Sequence, residues 1–257
     1  MNRKQTLLLS VMLAAGTLSA YAQKPEDTEF YEPVPKVVTP GKTNSDAPSD
    51  ALVLFDGKNL NEWTMTDDRG KPAEWNVADG ILTVNKHSGN IETVKSFSSY
   101  QLHIEWRIPS NITGSGQARG NSGVFLASLG KGDAGYELQV LDSYNNKTYV
   151  NGQAGSIYKQ FIPLVNASKA PGEWQSYDVI WTAPTFNEDG TVKTPAKVTV
   201  LHNGVLVQND VSLLGPTQYI GKASYNNAKH GPAPIKLQAH GDHSEPISYR
   251  NIWVREL

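Results

Sequence analysis

Three short stretches place groups that move protons or grip hydroxyls at every second position. They are Gln101-Leu102-His103-Ile104-Glu105-Trp106-Arg107, Tyr136-Glu137-Leu138-Gln139-Val140 and Ile235-Lys236-Leu237-Gln238-Ala239-His240. Successive side chains of an extended strand point to opposite faces. Glu137 therefore shares a face with Gln139, His103 with Glu105, and Lys236 with Gln238 and His240. Leu102, Ile104, Leu138, Val140 and Leu237 turn the other way. Carboxylates and carboxamides form paired hydrogen bonds with vicinal hydroxyls, and imidazole exchanges a proton near neutral pH. Beside bulky Tyr136 and Trp106 such groups suit a sugar groove, because aromatic rings stack on the apolar face of a sugar ring. For any one strand the alternative is a solvated outer face. All three together lead to the expectation of one cleft in which Glu137, His240 and Glu105 do the chemistry.

His240-Gly241-Asp242-His243 forms a dense cluster near the end of the last of these strands. Asp242 reads as the organiser of a turn through its side-chain acceptor. A divalent metal ion held by Glu105, Glu137 and His240 could polarise a carbonyl, although no H-E-x-x-H spacing accompanies them. No other cofactor is indicated.

These groups sit on a chain whose apolar period is two. Strands are expected at 80–84, 101–107, 122–127, 136–141, 175–181, 197–202, 205–208, 235–240 and 249–256. Asn203-Gly204 is a two-residue hairpin loop, since a type I′ turn needs positive φ at both centres. No long helical stripe appears, so helices should be short and peripheral. Strands without crossover helices imply an all-β jelly-roll sandwich of two antiparallel sheets. Trp63, Trp75, Trp106 and Trp181 are expected in its core, while Trp174 suits either core or platform.

The first 22 residues read as a secretory signal peptide, with Arg3 and Lys4, an apolar run from Leu7 to Ala15, and Ala20-Tyr21-Ala22 before the cleavage point. The protein is thus expected to be exported, to a bacterial periplasm or beyond, and not inserted in a membrane. Residues 23–50, rich in Pro, Thr and acids, read as a linker or irregular arm, leaving 51–257 as one domain. The net charge of −2 and the lack of a basic cluster exclude a nucleic-acid partner. With no Cys there is no disulfide framework or thiolate chemistry.

Six ordered segments carry a resemblance. Leu54-Phe55-Asp56-Gly57-Lys58-Asn59-Leu60 opens the series. Arg119-Gly120-Asn121-Ser122-Gly123-Val124, Tyr136-Glu137-Leu138-Gln139-Val140-Leu141-Asp142 and Gly155-Ser156-Ile157-Tyr158 follow. The last two are Ile235-Lys236-Leu237-Gln238-Ala239-His240 and Tyr249-Arg250-Asn251-Ile252. Together they resemble the 3-keto-disaccharide hydrolase domain family over residues 51–257. The resemblance implies a concanavalin A-like jelly roll that cleaves glycosides already oxidised at C3, by elimination or hydrolysis. It also implies a separate sugar 3-dehydrogenase to make the ketone.

A C3 ketone acidifies the C2 proton, so the site needs a base, an acid for the leaving group and a donor near the ketone oxygen. Glu137, His240 and Glu105 are the candidates for proton transfer. Asn121, Gln139, Asp142, Tyr158, Lys159, Gln238 and Arg250 are the candidates for holding the saccharide. Arg250 could fix the groove through a carboxylate. The run Glu137 to Asp142 also resembles the E-x-D-x-x-E signature of laminarinase-like glycosidases, with Gln139 in place of the central acid and Asp142 reaching the groove only through a bulge. A two-carboxylate glycosidase and a noncatalytic carbohydrate-binding module are the alternatives.

Overall fold

The computed structural model describes residues 23–257, so the signal peptide expected over 1–22 lies outside the described residues. Two compact units divide the chain between Val37 and Val38. In the first, the described residues form a single 3-10 turn, Pro25–Thr28, whose N-terminus is capped by Asp27 accepting from Lys24 N at 3.0 Å.

The second unit holds fifteen strands. In chain order they are β1 (Leu52–Phe55), β2 (Trp63–Met65), β3 (Asn76–Ala78), β4 (Ile81–Thr83), β5 (Ile91–Thr93), β6 (Tyr100–Arg107), β7 (Ser122–Ser128) and β8 (Gly135–Val140). There follow β9 (Trp174–Thr182), β10 (Thr185–Phe186), β11 (Val192–Thr194), β12 (Lys197–His202), β13 (Val205–Ser212), β14 (Lys236–Leu237) and β15 (Ser248–Glu256). An eight-stranded antiparallel sheet runs β13-β12-β9-β6-β15-β4-β3, with β1 on β15; a five-stranded sheet runs β2-β5-β14-β7-β8. This is the concanavalin A-like jelly-roll sandwich. Asn203 and Gly204 have φ of 53° and 77°, as the hairpin between β12 and β13 requires. Among the described residues no helix is long and apolar enough to cross a membrane.

The period-two pattern sorts side chains between core and surface. Leu102, Ile104 and Trp106 of β6 and Tyr177, Val179 and Trp181 of β9 pack against Val124, Leu126, Leu138, Val140 and Leu237, all buried. Each fully buried side chain of this size contributes about 1.5–3 kcal/mol. Trp63 and Trp75 are also buried. Trp174 instead lies at the surface edge, with the guanidinium groups of Arg107 and Arg250 4.5 and 4.2 Å from its ring.

Three buried tyrosines of the larger sheet reach across the core to the smaller one. Tyr100 donates to Leu126 O at 2.6 Å and Tyr177 to Gln139 O at 2.8 Å, while Tyr249 shares a 2.8 Å hydrogen bond with Ser122 Oγ. A buried hydroxyl needs a partner, so each bond fixes the separation of the sheets at one point. All three end on β7 or β8, the strands that carry the candidate site. At the opposite surface, Asn251 and Trp253 of β15 both donate to Ser45 O at 2.9 Å, and Arg255 pairs with Asp50. Residues 38–50, expected as part of an irregular arm, belong to this second compact unit.

Candidate active site

The face of the smaller sheet that turns away from the core is organised in cross-strand rows. Glu92 of β5, Lys236 of β14, Phe125 of β7 and Glu137 of β8 stand side by side, and opposed residues of an antiparallel pair point the same way. One row along, Gly123 faces Gln139, and Gln238 joins by donating its N–H to Gly123 O at 3.0 Å. Loops roof these rows, so Glu92, Glu137, Gln139, Lys236 and Gln238 are buried and do not form a solvated outer face. Asn121, Asp133, Glu137, Gln139, Tyr158, Thr217, Tyr219, Gln238 and His240 line one cleft of about 120 Å³.

Glu137 is 5% exposed. Burial pushes its carboxyl up to about 8; nearby Asp133 adds to the rise and the Lys236 ammonium opposes it. At neutral pH the group keeps its proton, which is the state a general acid needs. The backbone beneath it is held by Glu137 N donating to Thr217 Oγ1 at 3.0 Å.

His240 enters the cleft from just beyond β14. Its Nδ1 lies 2.7 Å from Asp242 Oδ2. Asp242 in turn accepts from Lys86 Nζ at 2.9 Å, from Ser244 N at 2.8 Å and from Ser244 Oγ. Burial raises the Asp242 carboxyl, but the hydrogen bonds from His240, Ser244 and Lys86 more than reverse this and hold it well below the usual carboxylate range. An ionised carboxylate can only accept, so in the neutral ring Nδ1 carries the proton and Nε2 keeps its lone pair. Nε2 is 3.4 Å from Asn121 Nδ2. The arrangement suits a base.

Asn121 links the imidazole to the carboxamides. Its Oδ1 accepts from Gln139 Nε2 at 2.8 Å, and its Nδ2 donates to Gln117 O at 2.8 Å. Gln139 Oε1 and Gln238 Oε1 are buried without a partner. A buried acceptor left unpaired costs about 1–3 kcal/mol, which a ligand hydroxyl would return. On the far wall Tyr158 shares a 2.6 Å hydrogen bond with Tyr149, and burial together with that bond raises its phenol above the ordinary value. It stays neutral, with its one proton shared with Tyr149.

The structure therefore brings Glu137, His240, Asn121, Gln139, Gln238 and Tyr158 together, and leaves four expected residues elsewhere. Glu105 and Arg250 belong to the larger sheet, where Arg250 Nε donates to Glu105 Oε2 at 2.6 Å. β6 gives Leu102, Ile104 and Trp106 to the core, so Glu105 emerges on the outer surface across the sandwich from the cleft. Strand alternation fixes a face within one sheet and says nothing about which sheet. Glu105 joins His103, which lies 2.7 Å from Asp178. Burial would lower the His103 imidazole, but the hydrogen bonds and charges of Asp178 and Glu105 prevail and bring it to about 9. Burial likewise raises Glu105, yet donors on His103, Asn251 and Arg250 bring it to about 2.

Asp142 does not reach the cleft. It lies past the end of β8, where Arg119 Nε donates to it at 2.6 Å, and the ladder from Glu137 to Val140 is regular. The Glu137 and Asp142 pair of a conventional glycosidase is not assembled. Lys159 stands outside the lining and donates to Tyr219 O at 2.6 Å, tying the Tyr219 loop to the Tyr158 wall. The metal set of Glu105, Glu137 and His240 is split between sheets. Among the described residues no group of three or more His, Cys, Asp or Glu side chains is arranged to hold a metal ion.

Sequence reasoning missed Lys86, Asp133, Thr217 and Tyr219, which come from loops without a periodic signal. It read Asp242 only as a turn former, although the His240-Gly241-Asp242 spacing pointed toward the pair.

A family model described as a 3-keto-alpha-glucoside-1,2-lyase-like domain matches residues 50–255. The chain is also similar to a candidate glycosyl hydrolase from Parabacteroides distasonis ATCC 8503, at 56% identity and a TM-score of 0.84, over 91% of this chain and 97% of that one. A second candidate glycosyl hydrolase from the same organism shares the fold at 21% identity and a TM-score of 0.55, over 80% of this chain and 99% of the other. No curated protein matches.

Proposed function

The chain belongs to the 3-keto-alpha-glucoside-1,2-lyase-like domain family, and on that premise we propose that it is an exported enzyme that cleaves glycosides carrying a ketone at C3. The observation that carries the reading is a protonated, buried Glu137 in the same cleft as a His240 imidazole whose Nδ1 is committed to Asp242. These surroundings support Glu137 as the acid and His240 as the base.

In the elimination, His240 Nε2 takes the C2 proton, and the electrons of that bond delocalise onto the C3 oxygen as an enolate. The enolate collapses to a C1=C2 double bond as the C1–O bond breaks. The departing oxygen takes the proton of Glu137. Addition of water across C1=C2 would complete a net hydrolysis. The Tyr158 hydroxyl, turned from Tyr149 toward the substrate, would be a neutral donor for the enolate oxygen and stabilise charge as it develops. Gln139 Oε1 and Gln238 Oε1 accept from ring hydroxyls. A separate oxidoreductase must supply the ketone.

The test is incubation of the processed protein with a 3-keto-disaccharide and with its unoxidised parent. Release of the leaving sugar is expected from the first only. Glu137→Gln should lower kcat by about 10²–10⁴-fold while leaving the fold intact. In the wild type kcat should fall as pH rises through about 8, where Glu137 loses its proton. A protein inert toward the ketosugar, with and without added divalent metal, would overturn the proposal.

A further inference from the structure

We infer that Lys236 is a positioning residue for Glu137, acting by pinning the loop over residues 129–134 that carries Asp133 into the cleft. The inference takes from the preceding section only the naming of Glu137 as the acid.

Lys236 is fully buried, in the cross-strand row that contains Glu137, with the ring of Phe125 between them and 5.0 Å from its ammonium. A buried ammonium is costly unless its three donors are used. Here they are all used on one short loop: Nζ donates to Gly130 O at 2.7 Å, Gly132 O at 2.8 Å and Ala134 O at 2.9 Å. Residues 130–134 are exposed on their outer side, so apolar packing does not hold them. The remaining ties are lighter. Asn90 Nδ2 donates to Gly132 O at 3.0 Å and Asp133 Oδ1 at 3.1 Å, and Gly132 N donates to Asp67 Oδ1 at 3.3 Å.

The ammonium thus has two opposed effects on Glu137. Its field favours the carboxylate. Its grip on the loop keeps Asp133 near and water away, which favours the acid. The other titratable groups around Glu137 are His240 beyond β14, Tyr158 and Tyr219 on the facing wall with Tyr149 beside them, and Tyr249 of the larger sheet, while Glu92 of β5 stands opposite Lys236. None of these touches the loop's carbonyls, so the two effects can be separated by experiment.

The experiment compares the wild type with Lys236→Met in the full mature protein, without substrate. It follows the Glu137 carboxyl by carbon NMR and amide exchange across 129–134. Release of the loop should speed exchange there at least tenfold and lower the Glu137 midpoint by about one pH unit or more as water and distance replace Asp133. The alkaline limb of kcat should move the same way, with KM little changed. A midpoint that rises or stays put, or a loop whose exchange is unaltered, overturns the inference. Should Lys236→Met fail to fold, Lys236→Gln takes its place: its amide keeps donors for the same carbonyls and loses the charge, so exchange across 129–134 should stay near that of the wild type while the Glu137 midpoint rises, and a midpoint that falls with the loop still protected overturns the inference. Because the titration needs no substrate, inactivity toward ketosugars would defeat the proposed function and leave this result readable.

Discussion

Gly123 lies directly beneath the carboxyl group of Glu137: a Cβ at Gly123 would stand 2.7 Å from Oε1, 3.1 Å from Cγ and 3.2 Å from Cδ. Gly123 has ordinary strand pairing with Gln139 across the ladder. Its missing side chain is therefore explained by the space Glu137 occupies and not by a backbone demand.

Gly123→Ala should accordingly leave the sheet intact and displace the acid. The expected outcome is a fall in kcat of about 10²-fold, in line with a misplaced catalytic group, with a melting temperature within a few degrees of the parent. A variant with unchanged kcat would show that Glu137 does not act from its observed position.

The Lys86–Asp242–His240 series makes a second claim. Asp242→Asn offers Nδ1 an amide in place of an ionised acceptor and loosens control of the tautomer, so kcat should drop by about 10²-fold or more while KM stays near the parent value. Lys86→Met should act in the same direction and more weakly, because Ser244 still donates to Asp242. Steady-state kinetics on the three proteins decide it: an effect confined to KM would make this series a binding device only.

Glu105→Gln tests the separation of the two sheets. Catalysis should be unchanged within about twofold, whereas stability should drop by roughly 1–3 kcal/mol as a hydrogen-bonded charge is removed from beside buried His103 and Arg250, allowing for the partial exposure of Arg250. The pH dependence has a defined sign. His103 is raised from 6.5 to about 9, so its contribution is complete below about 6.5 and is lost as pH rises through about 9. Urea midpoints at successive pH values should fall over that window in the parent and less steeply in Glu105→Gln. A tenfold loss of kcat would return Glu105 to the active site.

Much of the fold was legible in the sequence because it rests on local alternation. Leu102, Ile104 and Trp106 face inward as their spacing demands, and Asn203-Gly204 turns the chain where its residues require. The same rule placed Glu137, Gln139 and Gln238 on one face. It failed for Glu105, because β6 pairs with β9 and β15, and that choice is made by contacts distant in sequence. Asp242 was visible next to His240, but the lysine that fixes its charge arrives from 156 residues away. Alternation put Lys236 on the face of Gln238 and His240, but the glycine-bearing loop wrapped around its ammonium shows only in the structure.

The carbonyl of Ser45 serves two donors of β15 at once, and Asp50 neutralises Arg255 on the same strand. Cutting the polypeptide at Ala51, close to where the family match begins, would leave Trp253 and Arg255 without these partners and Asn251 with Glu105 alone, along a central strand of the larger sheet. The shortest autonomous fragment for expression, swapping or fusion should consequently start at Val38.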